Sequence, residues 1–257
     1  MNITTQFVLT VNDGKWLIAR AILEMENVKN ALKNGKVVLK GGTTVSCVAE
    51  LLCEYRMKIC GRILPHGGFA GKRYTTQSHL IMIDHGELLD INKVYIQVLL
   101  KLGPGDVIIT GANLIDEHGN AAMLAGGPGG NHGGLAAAPF VTEGADVIVA
   151  AGLEKLMPGS VLDSMKRAHR RGVEPRKGKG MACGLFPIVG SIVTEVEAIK
   201  QLADVDVCII GRGGIFGAEG STFFQVTGEE TEVLRLEEII KRCKNQRIGG
   251  CERSLEY

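Results

Sequence analysis

The sequence has no long apolar segment. Within its 257 residues, no run approaches the roughly 18 uninterrupted apolar residues of a membrane span, and the N-terminus lacks the basic segment followed by an apolar stretch of a secretory leader. We therefore expect a cytoplasmic protein without a membrane partner. Neither sign of charge is in excess, since 29 basic and 28 acidic residues leave a net charge of +1. This balance gives no reason to expect nucleic acid as a partner.

Signs of a disulfide framework or a zinc site are also missing. The seven cysteines are odd in number and none forms a C-x-x-C pair, so we expect neither disulfides nor a bound metal. Aromatic residues make up only 5% of the chain, whereas glycine, with 35 residues, has about twice its usual share. The glycine-rich segments are therefore the first places to look for a site.

Strand and helix patterns alternate along the first half of the chain, with glycines between them. The β-branched run at residues 36–40 precedes a turn and a helix with apolar residues at 45, 48, 49 and 52, and buried strands are predicted at 106–110 and 146–151. Such alternation predicts an α/β fold with a Rossmann-like, mostly parallel sheet flanked by helices. The clearest helical periodicity lies within residues 91–102.

A basic stretch at residues 166–180 marks a predicted boundary. It holds seven lysines and arginines against a single glutamate, which is typical of a surface connection. Residues 1–180 are the predicted main domain, and residues 181–257 form either a small C-terminal α+β lobe or the closing part of the same sheet. Two capping boxes, Thr194 with Glu197 and Thr227 with Glu230, predict helix starts in this second part.

A first candidate site is the turn formed by Gly41, Gly42, Thr43 and Thr44, here called the first glycine turn. It lies between a predicted strand and a predicted helix. The backbone N–H groups of such a turn and its two hydroxyls can face an anion beside the positive end of the helix dipole. The turn therefore predicts phosphate or carboxylate binding, although a tight strand-to-helix turn also needs glycine for geometry alone.

Residues 126–134, here called the glycine-rich loop, form the second candidate site. Six of the nine residues are glycine, and the loop lies between predicted core elements. No Gly-Lys-Ser/Thr follows, so it is not a Walker loop. Its density of glycine favours a loop that cradles a ligand over a plain connection. The predicted ligand contacts are Gly127, Gly129, Gly130, Asn131 and His132.

The segment after the predicted strand at 106–110 resembles a known family. Thr110, Gly111, Ala112 and Asn113, followed by the Asp-Glu-His-Gly-Asn turn at residues 116–120, resemble the strand-and-turn segment of CoA transferases. With the Gly-Leu-Glu-Lys sequence at 152–155, the same region is similar to the LUD (lactate-utilisation) domain.

Two further relatives are suggested by the glycine segments. The glycine-rich loop, together with Gly111, Ala112 and Asp116, resembles ribose-5-phosphate isomerase. The first glycine turn is similar to the phosphate-binding unit of sugar-phosphate-sensing regulator domains. All four belong to the isomerase and CoA-transferase superfamily, whose members share the NagB/RpiA/CoA-transferase-like fold. The resemblance covers residues 36–158 and makes the four residues 110–113 predicted ligand contacts.

The resemblance implies a small-molecule enzyme that acts on a CoA-bearing or phosphorylated substrate, with CoA transfer favoured. No cofactor is implied, since CoA would be a substrate, and a homo-oligomer is expected. A CoA transferase uses a glutamate to form an acyl anhydride, for which Glu154 and Glu219 are the candidates, and Asp116 is a candidate acid/base. A structural carboxylate or surface ion pair is the alternative for Glu154, and turn formation is the alternative for the segment that contains Asp116.

Two positions depart from ribose-5-phosphate isomerase. Asn113 stands where the isomerase has an acid, and Ala125 stands where it has a lysine. These departures keep two other hypotheses open. One is a non-catalytic sensor of a sugar phosphate or related anion, and the other is a scaffold subunit of a hetero-oligomeric transferase.

Overall fold

The computed structural model describes residues 1–70, 76–174 and 180–255. Its strands are β1 (Asn2–Leu9), β2 (Lys36–Lys40), β3 (Gly61–Leu64), β4 (Gly67–Ala70), β5 (Leu80–Asp84), β6 (Glu87–Asp90), β7 (Val107–Thr110), β8 (Leu114–Ile115), β9 (Ala121–Ala125), β10 (Asp146–Ala150), β11 (Gly184–Ile188), β12 (Ser191–Val193), β13 (Val205–Gly213) and β14 (Ser221–Glu229). Its α-helices are α1 (Val11–Glu24), α2 (Glu26–Asn34), α3 (Thr43–Cys53), α4 (Tyr95–Leu99), α5 (Asn131–Leu135), α6 (Pro139–Thr142), α7 (Val161–Arg167), α8 (Glu195–Leu202), α9 (Glu230–Cys243) and α10 (Glu252–Leu255). Among these residues, no helix combines the length and the apolar character that crossing a bilayer requires.

A six-stranded sheet forms the centre of the molecule, with the strand order β12-β10-β7-β2-β5-β6. The first four of these strands are parallel to one another, and β5 and β6 complete the sheet with antiparallel pairings. The prediction of an α/β fold with a helix-flanked sheet is thus confirmed, and the sheet itself is mixed.

The two faces of the sheet bury different helices because side chains alternate along each strand. Val37 and Leu39 of β2 point to the first face, which is covered by α1, α3 and α8. Val38 points to the second face, where Tyr95 of α4 and Phe140 of α6 complete the core. Strands buried on both sides explain the continuous apolar runs that the sequence shows.

A smaller antiparallel sheet, β1-β14-β13, packs against α9. β1 is not apparent in the sequence, since its partner β14 lies at the other end of the chain. Strands from both sides of residue 180 pair, β1 with β14 and β12 with β10. The two-domain division stays a prediction, and residues 175–179 of the predicted boundary lie outside the described residues.

Of the two predicted capping boxes, one is confirmed and one is wrong. Thr194 caps α8, with the Glu197 carboxylate accepting from the Thr194 N–H. Thr227 instead belongs to β14, where it pairs with Thr4 of β1, so α9 begins only at Glu230. Strand pairing over a long sequence separation has overridden a local signal. The periodicity within 91–102 likewise yields only the five-residue α4, with turns on either side.

Candidate functional site

The carboxyl ends of β2 and β7 lie side by side at one edge of the six-stranded sheet, and the region between them is called the crevice below. The two strands are neighbours, with Leu39 paired to Ile109. After β2 the chain enters α3 on the first face, whereas after β7 it enters β8 and β9, whose residues Ile115 and Ala121 belong to the core of the second face. Ligands of open α/β sheets bind where successive connections diverge in this way. The structure therefore places the first glycine turn and residues 110–113 on adjacent strands at one crevice.

The first glycine turn leaves the start of α3 without a side-chain cap. Gly42 is the N-cap residue, and the first intrahelical bond runs from the Ser46 N–H to the Gly42 carbonyl at 2.8 Å. The N–H groups that precede Ser46 have no acceptor within the helix. Thr44 is buried, and its hydroxyl has no hydrogen-bond partner in the described structure.

Gly41 is needed because His79 packs directly against it. The Gly41 N–H donates to the His79 carbonyl at 2.8 Å, and a Cβ at this position would lie only 2.7 Å from that oxygen. The His79 ring is partly buried, with Nδ1 2.9 Å from the Lys58 carbonyl oxygen. Burial lowers the pKa of His79 to about 4, and the charges of Lys40 and Lys58 act in the same direction. His79 is therefore a neutral ring at the crevice.

Residues 110–113 combine a buried hydroxyl with a structural amide. The Thr110 side chain is fully buried, with its hydroxyl 3.4 Å from the Gly111 carbonyl. The Asn113 Oδ1 accepts from the Leu124 N–H at 3.0 Å, which ties β8 to β9. Ala112 is buried in the core of the second face. Asn113 thus shapes the strand ends, while Thr110 and Gly111 form the β7 side of the crevice.

The glycine-rich loop folds tightly on itself. Gly129 and Gly130 adopt φ values of 60° and 78°, and a Cβ at Gly134 would overlap the Gly129 carbonyl. The Asn131 side chain fills the space beside Gly127. The loop's own geometry therefore accounts for several of its glycines. The chain continues into the short helices α5 and α6, and the His132 ring lies edge-on to that of Tyr95, with the ring centroids 6.4 Å apart.

Lys40, which sequence reasoning missed, lies beneath this loop. It is the last residue of β2, only 6% exposed, with its Nζ 2.8 Å from the Met123 sulfur. A Cβ at Gly133 would lie 3.7 Å from the Lys40 Cε. Burial lowers the pKa of Lys40 to about 8. No carboxylate forms an ion pair with Lys40 in the described ranges 1–70, 76–174 and 180–255. The sequence feature that could have identified Lys40 is its position at the end of a buried strand, directly before a glycine turn.

A pair of carboxylates lies at the carboxyl ends of β10 and β12. Glu154 follows β10, and Glu195 is the first residue of α8. The Glu195 Oε2 accepts from the Leu153 N–H at 2.8 Å. A Cβ at Gly152 would lie 2.8 Å from the Glu195 Oε1 and closer still to the Glu154 Oε2. One oxygen of each carboxylate therefore faces the same small space, and the Glu154 Oε2 has no hydrogen-bond partner in the described structure.

The electrostatics of this pair favour one retained proton. Burial raises the pKa of Glu195 to about 7, the negative charge of Glu154 adds to the rise, and the Leu153 N–H only partly opposes it. The Lys155 Nζ lies 3.9 Å from the Glu154 Oε1, and burial lowers the pKa of Lys155. The pair can therefore exchange a proton near neutral pH. Sequence reasoning identified Glu154 and missed Glu195, which reaches the pair only through the β10–β12 pairing.

Asp116 lies in a different setting. One of its carboxylate oxygens accepts from the His118 N–H at 3.0 Å and the Asn120 N–H at 2.9 Å, and the other accepts from the Val161 N–H at 2.9 Å. Burial alone would raise the pKa of Asp116, but these donors outweigh it and lower the pKa to about 2. Asp116 fixes the turn and joins it to the start of α7. Its catalytic role stays a prediction, and the proposals below do not depend on it.

Glu219, the third predicted catalytic residue, lies in the exposed turn between β13 and β14. Its carboxylate accepts from the Gly217 N–H of the same turn at 2.9 Å. The Arg212 guanidinium, at the end of β13, donates to the Leu153 carbonyl, so this hairpin borders the carboxylate pair. Glu219 contributes to the shape of the turn, and its role in acyl transfer stays a prediction.

Comparisons with family models, curated proteins and solved structures gave no match to this chain. The resemblance to the isomerase and CoA-transferase superfamily therefore stays a prediction. No group of three or more His, Cys, Asp or Glu side chains able to hold a metal occurs in the described part of the chain.

Proposed function

We propose that the protein is an enzyme acting on a small anionic molecule, a phosphorylated or CoA-bearing substrate, bound in the crevice between β2 and β7. The observation that carries this proposal is the uncapped start of α3 at that crevice. Gly42 offers no side chain to the first N–H groups of the helix, and the buried Thr44 hydroxyl beside them has no partner. A phosphate or carboxylate oxygen satisfies such groups and is favoured by the helix dipole.

The carboxylate pair supplies the chemistry. In a CoA transfer, which we favour, the Glu154 carboxylate attacks the thioester carbonyl, an acyl anhydride forms and the CoA thiolate leaves. Its Oε2 is buried and has no hydrogen-bond partner in the described structure, so its electron pairs are available once the substrate displaces the groups that cover it. Glu195, with its pKa raised to about 7 by burial, is suited to donate a proton as charge develops. On a phosphorylated sugar, the same pair would act as base and acid.

Substitutions at Gly42 test the anion site directly. A Cβ at Gly42 meets no atom of the described residues within 4 Å, and the backbone there is extended, with φ −174°, so both alanine and aspartate fit. Gly42→Asp places a carboxylate where the ligand anion would lie and caps the helix. Gly42→Ala is the matched control, because it adds a similar Cβ without charge.

The readout is ligand-induced thermal stabilisation and calorimetric binding of CoA thioesters, sugar phosphates and inorganic phosphate. We expect stabilisation of the wild type and of Gly42→Ala, and its loss in Gly42→Asp. Equal binding by all three proteins would show that the anion does not bind at the start of α3. Binding without turnover of any bound compound would instead support the sensor alternative.

A further inference from the structure

Lys40 has no place in the acid/base chemistry described above, yet its surroundings are unusual for a lysine. Its side chain is 94% shielded from solvent at the end of β2, since only 6% is exposed. The one polar contact of its Nζ in the described structure is the Met123 thioether at 2.8 Å. A lysine kept for its charge is normally paired with a carboxylate when buried, and none is paired with Lys40 in the described ranges.

The groups described around Lys40 supply no negative charge, and the ammonium of Lys58 acts on His79 and Cys60 together with that of Lys40. His79 is a neutral ring, and burial raises the pKa of the Cys60 thiol, which therefore stays protonated. Tyr95, in the core on the same face of the sheet, is a buried phenol whose hydroxyl has no hydrogen-bond partner in the described structure. A desolvated amine beside neutral groups and another cation is the setting in which lysine is a nucleophile, because only the uncharged amine has a free electron pair.

The position of Lys40 relates it to the anion site. Two residues, Gly41 and Gly42, separate it from the first residue of α3 in the chain, and its side chain lies on the other face of the sheet, under Gly133 of the glycine-rich loop. A ligand anchored at the start of α3 therefore has its anion on one side of the strand end and an amine on the other. A small molecule with a phosphate at one end and a carbonyl group at the other matches this arrangement.

We propose that Lys40 forms an imine with the carbonyl carbon of a small phosphorylated aldehyde or ketone. The Nζ electron pair attacks the carbonyl carbon and forms the C–N bond, and the carbonyl oxygen leaves as water with the two hydrogens of the amine. The step needs no oxidant or further reactant. It rests on the proposed function, because the phosphate is held at the α3 start. Within the proposed substrate class, it selects phosphorylated carbonyl compounds in place of the CoA thioesters favoured above.

Imine formation is tested by trapping. The full chain is incubated with glyceraldehyde 3-phosphate, dihydroxyacetone phosphate or their unphosphorylated counterparts, reduced with sodium borohydride and analysed by intact mass and peptide mapping. We expect one adduct per chain, with the mass of the carbonyl compound less one oxygen atom, located on Lys40 and formed faster with the phosphorylated probes. Lys36→Arg, at the other end of β2, is the control and should be labelled like the wild type.

Two variants make the outcome decisive. Lys40→Arg keeps a cation but forms no imine. Lys40→Met fills a similar volume without a charge. Because one variant keeps the charge and the other removes it, we expect at least one of them to fold. Labelling that spreads over surface lysines equally in the wild type and in these variants would overturn the inference. If the phosphorylated probes still raise the melting temperature in that case, the anion site stands and only the imine is lost. If they neither label Lys40 nor stabilise the wild type, both proposals fail.

Discussion

Asp116 and the Glu154–Glu195 pair are both poorly exposed to solvent, but they differ in how their charges are compensated. Asp116 is held by backbone N–H donors on both oxygens, which lower its pKa to about 2 despite its burial. In the pair, the backbone N–H groups that donate to Glu195 do not offset its burial, the Glu154 Oε2 has no donor in the described structure, and the pKa of Glu195 is raised to about 7.

This difference separates a carboxylate that serves the fold from carboxylates suited to chemistry. A fully satisfied charge stabilises its surroundings and has no capacity left for a substrate. A charge without such donors lowers the stability of the protein, and proteins retain charges of this kind mainly at functional sites. Lys40 belongs with the second group, because it is buried without a carboxylate partner in the described structure. Substitutions should therefore have opposite effects on stability in the two groups.

The largest effect is expected at Asp116. Asp116→Asn removes the charge that the backbone N–H groups of His118, Asn120 and Val161 share, so the free energy of unfolding should fall by about 4 kcal/mol at pH 7. Since folding lowers this pKa from 3.8 to about 2, the wild-type advantage should shrink as the pH falls through that range. Urea denaturation of both proteins at pH 7 and at a pH between the two pKa values measures this advantage. The exposed Asp163→Asn is the control. An Asp116→Asn protein as stable as the wild type would contradict the structural role.

Lys40→Met should raise the free energy of unfolding, whereas Asp116→Asn lowers it. Folding lowers the pKa of Lys40 from 10.5 to about 8, so the charged amine costs stability on the order of 3 kcal/mol at pH 7, and methionine should recover it. The gain should decline as the pH rises from 8 towards 10.5, where the amine is neutral in both states. Denaturant midpoints across this range measure it. A destabilised Lys40→Met protein would show that the lysine charge serves the fold.

Glu195→Gln should also stabilise the protein, but only at higher pH. Folding raises the pKa of Glu195 from 4.5 to about 7, so the folded state binds the extra proton between these values and loses stability as the pH rises through them. We expect a gain of about 2 kcal/mol at pH 8, allowing for the coupling to Glu154, and no gain below pH 4.5. The exposed Glu87→Gln is the control. A pH-independent difference would mean that Glu195 does not hold this proton.

The sequence predicted one side of the crevice well, because β2, the first glycine turn and α3 are consecutive and each follows local rules. Residues brought together from distant parts of the chain were harder to predict. Glu195 meets Leu153 across 42 positions, and the donors that satisfy Asp116 include Val161, 45 positions away. Residue type suggested Asp116 as an acid or base, but whether a carboxylate is already satisfied depends on such contacts. Lys40 was missed because a lysine after an apolar strand ordinarily extends into solvent.

The smallest effect on stability, with the sharpest consequence for binding, is expected at the first turn of α3. Thr44 and Ser46 are both buried, and neither hydroxyl has a partner in the described structure. They are two residues apart, so they lie on nearly opposite sides of a helix with 3.6 residues per turn. Thr44→Val and Ser46→Ala should each change stability by less than about 1 kcal/mol, because no hydrogen bond is lost.

Anion affinity should distinguish the two variants. One hydrogen bond to a charged ligand contributes about 1.5 kcal/mol, so Thr44→Val should weaken binding of a stabilising phosphate compound about tenfold. Ser46→Ala should leave the affinity unchanged, because its hydroxyl lies away from the crevice if Thr44 faces it. Titration calorimetry on both variants measures the ratio. An equal loss in both would indicate a general disturbance of α3 rather than a contact with the anion, and no loss in either would place the ligand away from Thr44.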